Sequence, residues 1–390
     1  MNLTMNKNSI YMALLSVAIF DSSISAMSFN KGALASIHQI CLYLFLFLSL
    51  TCILISKHLK KLLFINLVVY GFAVMSYSIS GNTDFMTTLL LIMLNQYTTI
   101  GIDQILKRIY RIKLPILLAG ILLSIIGVLD IGTIVQFGGE KGSILGFGHV
   151  NGFSGHAGII MLLWIAIHRN DRHLYRCIPV MALLEGVVFY LTKSRTGLIV
   201  MILMIVIIVL RELKPYVNHF LKISKWIMPI LIGGNFLLIF FQYFGMFNTV
   251  VEDVLGKIFN GRLLLAAMNL STYPITLFGQ NMDRSIIKAK YAYTALDNGY
   301  TYVLICYGIV GLLIQCVLMQ IAMLQLRKHN EYILCAITFL LAFWMVYEGM
   351  MIGVTTNFSM LFATAYVMLN MKQQENKQRE MVIRQMETKK

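Results

Sequence analysis

Charge is what this 390-residue chain has least of. Charged residues make up 13% of it, about half the share in a soluble domain. That deficit excludes a soluble enzyme and a disordered chain. Five prolines leave long stretches free to run as unbroken helix. The six cysteines (Cys41, Cys52, Cys177, Cys306, Cys316 and Cys335) lie in or at the edge of apolar runs, so no disulfide framework is implied. There is no Cys/His metal spacing, no Asp-x-Asp pair, no Walker A loop, no His-Glu-x-x-His and no Gly-x-Ser-x-Gly. These absences point to no metal and no cofactor.

Apolar length is what the chain has in excess. Hydrophobic residues make up 58%, and mean hydropathy is +0.76. The runs are continuous, without the ~10-residue alternation of a membrane barrel. Many approach the ~20 residues needed to cross a bilayer as helix. The reading is an all-α, polytopic membrane protein with twelve spans near 9–27, 33–55, 62–80, 85–105, 114–131, 153–168, 177–192, 196–210, 226–244, 300–324, 332–347 and 355–371. The N-terminal run reads as a retained first span rather than a cleaved signal.

The net charge of +15 would suggest nucleic acid in a soluble protein. Here orientation explains it, and no nucleic-acid partner is expected. With the N-terminus inside and the loops alternating, inside segments carry 23 of the 32 lysines and arginines. Both termini are then cytoplasmic. Residues 1–371 form one membrane domain, and 372–390 form a basic tail. Two outer segments are long, 132–152 and 245–299, and they are expected to make the active face. In the second, Val251, Val254, Leu255, Ile258 and Phe259 recur at helical spacing. Residues 262–271 read as a second short helix, both lying at the membrane surface.

Few ionisable residues fall on the outer side. Arg195, in Thr192-Lys193-Ser194-Arg195-Thr196-Gly197, stands at the membrane surface. It either binds phosphate through its two-pronged guanidinium or snorkels to headgroups. Arg262 follows Asn260-Gly261 at a helix start, a suitable place for an anion or a headgroup. Asp297, in Asp297-Asn298-Gly299-Tyr300, is a general base, a helix N-cap, or both. His149 and Asn151, in Gly146-Phe147-Gly148-His149-Val150-Asn151, would bind sugar hydroxyls or move a proton, or His149 is structural. His156 reads as packing. Asp21, Glu185 and Glu348 are carboxylates in apolar surroundings, costly unless partnered. Glu185 either ties the bundle together or serves a proton path.

These pieces, in this order, resemble the O-antigen ligase and polymerase superfamily, and especially Wzy-type polysaccharide polymerases. The resemblance rests on 146–151, on 192–197, on Gly261-Arg262 followed by Pro274 to Gly279, and on Asp297-Asn298-Gly299-Tyr300 to Tyr307-Gly308-Ile309-Val310-Gly311. Ligases often carry a histidine where this chain has Asp297, which favours a polymerase. The resemblance implies a GT-C-like glycosyltransferase on the outer face of a bacterial plasma membrane. It would join polyprenyl-diphosphate-linked oligosaccharide repeats into capsular, exopolysaccharide or O-antigen chains. Arg195 and Arg262 would stabilise the leaving diphosphate, with Asp297 or His149 as base. Lys193, Asn151, Asn298, Tyr300 and Arg284 would contact diphosphate or sugar. Membrane lipids, a chain-length regulator and a flippase are the implied partners. The alternatives are a ligase of the same superfamily and a lipid-linked oligosaccharide flippase or secondary transporter.

Overall fold

The computed structural model describes residues 7–28, 31–55, 60–135, 141–291 and 296–365. The tail 372–390 and the end of the expected last span lie outside them. The architecture is helical throughout, with one small antiparallel hairpin. The first half contains α1 (Lys7–Ser25), α2 (Lys31–Ile55), α3 (Lys60–Ser80), α4 (Thr83–Asn95), α5 (Ile102–Ile125), α6 (Val150–Ile167) and α7 (Ile178–Thr192). The second half contains α8 (Arg195–Arg211), α9 (Lys214–Tyr243), α10 (Thr249–Phe259), α11 (Arg262–Thr272), α12 (Arg284–Tyr291), α13 (Gly299–Lys328) and α14 (Tyr332–Tyr347). Strands β1 (Thr133–Val135) and β2 (Lys141–Ser143) pair with Ile134 opposite Gly142.

Among the described residues, six helices are long and apolar enough to cross a membrane, and α4 and α14 are shorter apolar helices. Burial sorts them into two shells. The apolar stretch of α6 is 72% buried, whereas those of α3 and α9 are each 22% buried. Helix α6 packs against α5, α7, α8 and α14. Around this centre, α2, α3, α7 and α9 expose Tyr43, Phe47, Phe64, Leu183, Tyr190 and Ile230. Large apolar side chains left bare around a helical bundle suit hydrocarbon, not water. The bundle is suited to embedding in a membrane.

The expected fourth and fifth spans are misplaced. The apolar run 85–105 holds a helix only to Asn95, because Thr98 hydrogen-bonds back to Asn95 and turns the chain. Helix α5 then starts at Ile102, inside a charged stretch that a hydropathy reading assigns to a loop. Similarly, α9 starts at Lys214 rather than near 226.

The two ends of the bundle differ chemically. At one end, Arg169 joins Asp103 at 2.5 Å and Glu331 at 2.9 Å, tying the start of α5 to the end of α6 and the start of α14. Arg211 donates to the Asp171 carbonyl at the same end. At the other end lie the hairpin, α10, α11 and the starts of α6 and α13.

Helix α13 is broken. Gly308 has φ +72° and ψ −172° inside it, a conformation open to glycine and little else. The break frees backbone groups, and segment 276–280 takes them up. Ile309 and Val310 donate to the carbonyls of Thr276 and Leu277, and Gln280 donates to that of Ile305. Gly279 is needed on the other side of this contact, since a Cβ there would run into the Cys306 carbonyl. Non-helical backbone inside a bundle is tolerated only when its polar groups are paired in this way.

A Cβ at Gly308 would meet the Leu277 carbonyl and hold an unfavourable φ. Gly308→Ala is expected to cost at least ~1–3 kcal/mol. Thermal unfolding in detergent should show a clear drop relative to Gly233→Ala, whose Cβ meets nothing within 4 Å. Equal unfolding temperatures would show that the splint does not constrain the break.

Candidate functional site

Three helix starts converge at the second end. Asn260 (φ 52°) and Gly261 (φ 74°) are both left-handed and reverse the chain between α10 and α11. Arg262 therefore opens α11 with its side chain directed into the bundle, where it is 8% exposed. Its Nε donates to the Tyr347 carbonyl at 2.7 Å, and one Nη donates to Glu348 Oε1 at 2.9 Å. Asp297, just before α13, brings a carboxylate oxygen to 3.7 Å from the Arg262 Nε. The Tyr347 ring lies under the guanidinium, 5.9 Å from its centroid, and Phe259 stacks on that ring. These hydrogen bonds use two of the five N–H donors of an arginine.

Helix α6 completes the group. The Asn151 side chain reaches Glu348. His149 is the N-cap of α6, its Nδ1 accepting from the Asn151 backbone N–H at 3.2 Å. Just upstream, Gly146 (φ +79°) lets the chain lie against α5, since a Cβ there would meet Ser124 and the Gly120 carbonyl. Desolvation holds the His149 imidazole below its ordinary pKa, Asp297 pulls it up and Arg262 pushes it down. With Nδ1 accepting from the Asn151 N–H, the neutral ring carries its proton on Nε2. Glu348 follows the last residue of α14 and is buried. Burial pushes its carboxyl up to about 8, opposed by Arg262 and Asn151 and reinforced by Asp297.

The sequence-predicted residues divide. Arg262, Asp297, His149 and Asn151 come together, with Glu348 as the group that joins them. Glu348 was legible as a costly carboxylate, but its partner was not. Asp297 is not the N-cap of α13; Asn298 is, its side chain accepting from the Thr301 N–H. Asn298 also donates to Asn235 and to the Val346 carbonyl, and it is buried. Tyr300 is fully buried with its hydroxyl donated to the Ala342 carbonyl. Both are packing residues here, not ligand contacts. Arg195 is exposed as the first residue of α8. Lys193 is the left-handed cap of α7, with its ammonium 4.7 Å from the Tyr190 ring. Arg284 opens α12, and its side chain lies outside the described residues.

Among the other singled-out residues, Glu185 is buried and neither carboxylate oxygen has a hydrogen-bond partner among the described residues. The expected tie to a basic or hydroxyl group is therefore absent. His156 is buried against Phe147, ring centroids 5.3 Å apart, as packing predicts. Asp21 holds a partner that sequence reasoning missed: His38 Nδ1 lies 2.9 Å from both of its carboxylate oxygens. Asp84 at the start of α4 was missed as well. Among the described residues, no group of three or more histidine, cysteine or acidic side chains is placed to hold a metal.

Because the Glu348 pKa is raised, the fold prefers the protonated acid, while the unfolded chain titrates near 4.5. The unfolded state then binds fewer protons, so stability falls as pH rises from about 4.5 to about 8. Glu348→Gln should flatten that slope in thermal unfolding measured across the same window. A slope equal to wild type would remove Glu348 as its source.

Comparison of the chain with known protein families, with curated proteins and with solved structures finds no match. Membership of a family is therefore not shown, and the functional reading rests on the site.

Proposed function

We propose that this chain is a membrane polysaccharide polymerase, a glycosyltransferase that joins polyprenyl-diphosphate-linked repeat units on the outer face of a bacterial plasma membrane. One observation carries the reading. A buried arginine with donors to spare lies where the starts of α6, α11 and α13 meet, beside a half-exposed carboxylate and an imidazole. Helix starts carry partial positive charge, which suits a diphosphate. The proposed arrangement is twelve spans, cytoplasmic termini and a GT-C-like outer face.

The chemistry follows from the residues. An acceptor hydroxyl attacks the anomeric carbon of the donor. A glycosidic C–O bond forms, and the C–O bond to the diphosphate breaks. The hydroxyl proton passes to Asp297; His149, whose Nδ1 already accepts from the Asn151 N–H, would present an N–H donor to the substrate. The departing diphosphate gains negative charge, and Arg262 with the helix starts stabilises it without reorganising. Arg195 and Lys193 would act at the rim. The leaving group is already activated, so no cofactor is required. The partners are the lipid-linked repeats, membrane lipids, and a flippase and chain-length regulator of the same pathway. A ligase of the same superfamily would use the same groups with a different acceptor.

A flippase is the second reading, and the break in α13 favours it, because transporters use discontinuous helices at their sites. Against it, segment 276–280 already occupies the freed backbone groups of that break.

The test is the lipid-linked glycan profile of a strain lacking the gene, complemented with wild type or variants. Single repeats should accumulate on lipid, and wild type should restore the ladder. Arg262→Ala should lower polymerisation by about 10²-fold or more, and Asp297→Asn by ~10²–10⁴-fold if Asp297 is the base. Long polymer persisting on the carrier would indicate a ligase. Repeats trapped on the inner leaflet would indicate the flippase.

A further inference from the structure

A second chemical environment lies on the other side of His149. Helices α1, α2 and α4, the start of α6 and the turn after α14 enclose a cavity of about 400 Å³. That is within the range of small-ligand pockets. Its polar lining includes Asp21, His38, Asp84, Thr87, His149 and Thr355. Ionisable groups on apolar helices are expensive and characteristically face a ligand path or each other. Here they do both. Asp21 holds His38 through Nδ1, which leaves Nε2 as the ring nitrogen still available to the cavity. Asp84 lies against Gly353, where a Cβ would come within 2.7 Å of its Oδ1, so glycine makes room for the carboxylate. Ser22 and Thr355 are hydrogen-bonded at 2.8 Å across α1 and the turn after α14.

The charge of this lining discriminates between ligands. It contains two carboxylates, one of them paired with His38, and no lysine or arginine, so it offers a diphosphate no fixed cation. Carboxylates, imidazole and hydroxyls are the groups that accept from and donate to sugar hydroxyls. Gly148 and His149 form the wall between this cavity and the Arg262 cluster. A ligand held here therefore ends beside the proposed reacting groups.

We propose that this cavity binds the saccharide end of the acceptor, with Asp84 and the Asp21–His38 pair reading its hydroxyls. The proposal rests on the polymerase reading for the direction of transfer. It divides the site into a cationic half for the leaving diphosphate and an anionic half for a neutral, hydroxyl-rich sugar.

The probe is the repeat-unit oligosaccharide released by mild acid from the lipid fraction of cells lacking the gene. It has no diphosphate, so it serves as acceptor only. Its equilibrium binding is measured with the full chain in nanodiscs. Asp84→Asn should weaken binding by at least tenfold. Ser25→Phe, which adds bulk at an exposed position on the cavity wall, should do the same without touching a buried charge. Lys257→Ala, at an exposed position on α10 away from the cavity, should bind the oligosaccharide within twofold of wild type. No binding by wild type, or equal binding by Asp84→Asn and Ser25→Phe, overturns the subsite. Turnover with lipid-linked donor is read separately. If wild type binds the oligosaccharide yet forms no polymer, the polymerase reading fails and the saccharide site stands.

Discussion

A buried guanidinium organises the candidate site. Arg262 enters the bundle from a surface helix and meets a backbone carbonyl and a carboxylate, both at the end of α14. A charge so enclosed is stable only with partners in place, so the position of α11 is tied to α14. Asn151 and Asp297 then fix the starts of α6 and α13 to the same point. Four elements far apart in sequence are registered by one side chain. That registration is also what would make the site an anion cradle: the helix starts are close because the arginine needs company.

The bundle separates tasks along its length. The Arg169 triad closes one end with mutually satisfied charges and keeps the central helices together. The opposite end keeps charges that are partly satisfied, with Asp297 half-exposed and His149 open to a cavity. Between them, α6 contributes apolar packing over most of its length. Fully paired and partly paired charges thus lie at different termini of the same helices, and a substitution at one end need not disturb the other.

Much of this was legible in the sequence, for physical reasons that also explain the failures. Apolar runs located most helices because helix burial and lipid exposure both demand such runs. Gly261 before Arg262 was readable as a tight turn at a helix start, but the sequence left an anion and a lipid headgroup equally open as what Arg262 meets. Helix α5 was misplaced because its first turns are charged yet helical, and hydropathy sees only the charge. Asn298 and Tyr300 were assigned to ligand because local sequence marks them as polar and near Asp297. Which way a side chain points depends on packing against α9 and α14, and no local rule supplies that. The Asp21–His38 pair was invisible because it depends on the relative height of two antiparallel helices. Glu348 stood out, but its neighbour Arg262 is 86 residues away.

The splinted break in α13 bears on how the protein is made. Segment 276–280 is synthesised before residues 305–310, the backbone groups it must pair with. Until α13 has been delivered to the membrane, that segment has no partner for its amides and carbonyls. Segment 276–280 therefore cannot settle in the order in which it is translated. Its docking has to follow insertion of a later helix, and Asp297, which lies between the two, is carried to Arg262 by that same late event. The Arg262 cluster is among the last parts of the molecule to be assembled, so a chain caught earlier in biogenesis would be embedded but without that cluster.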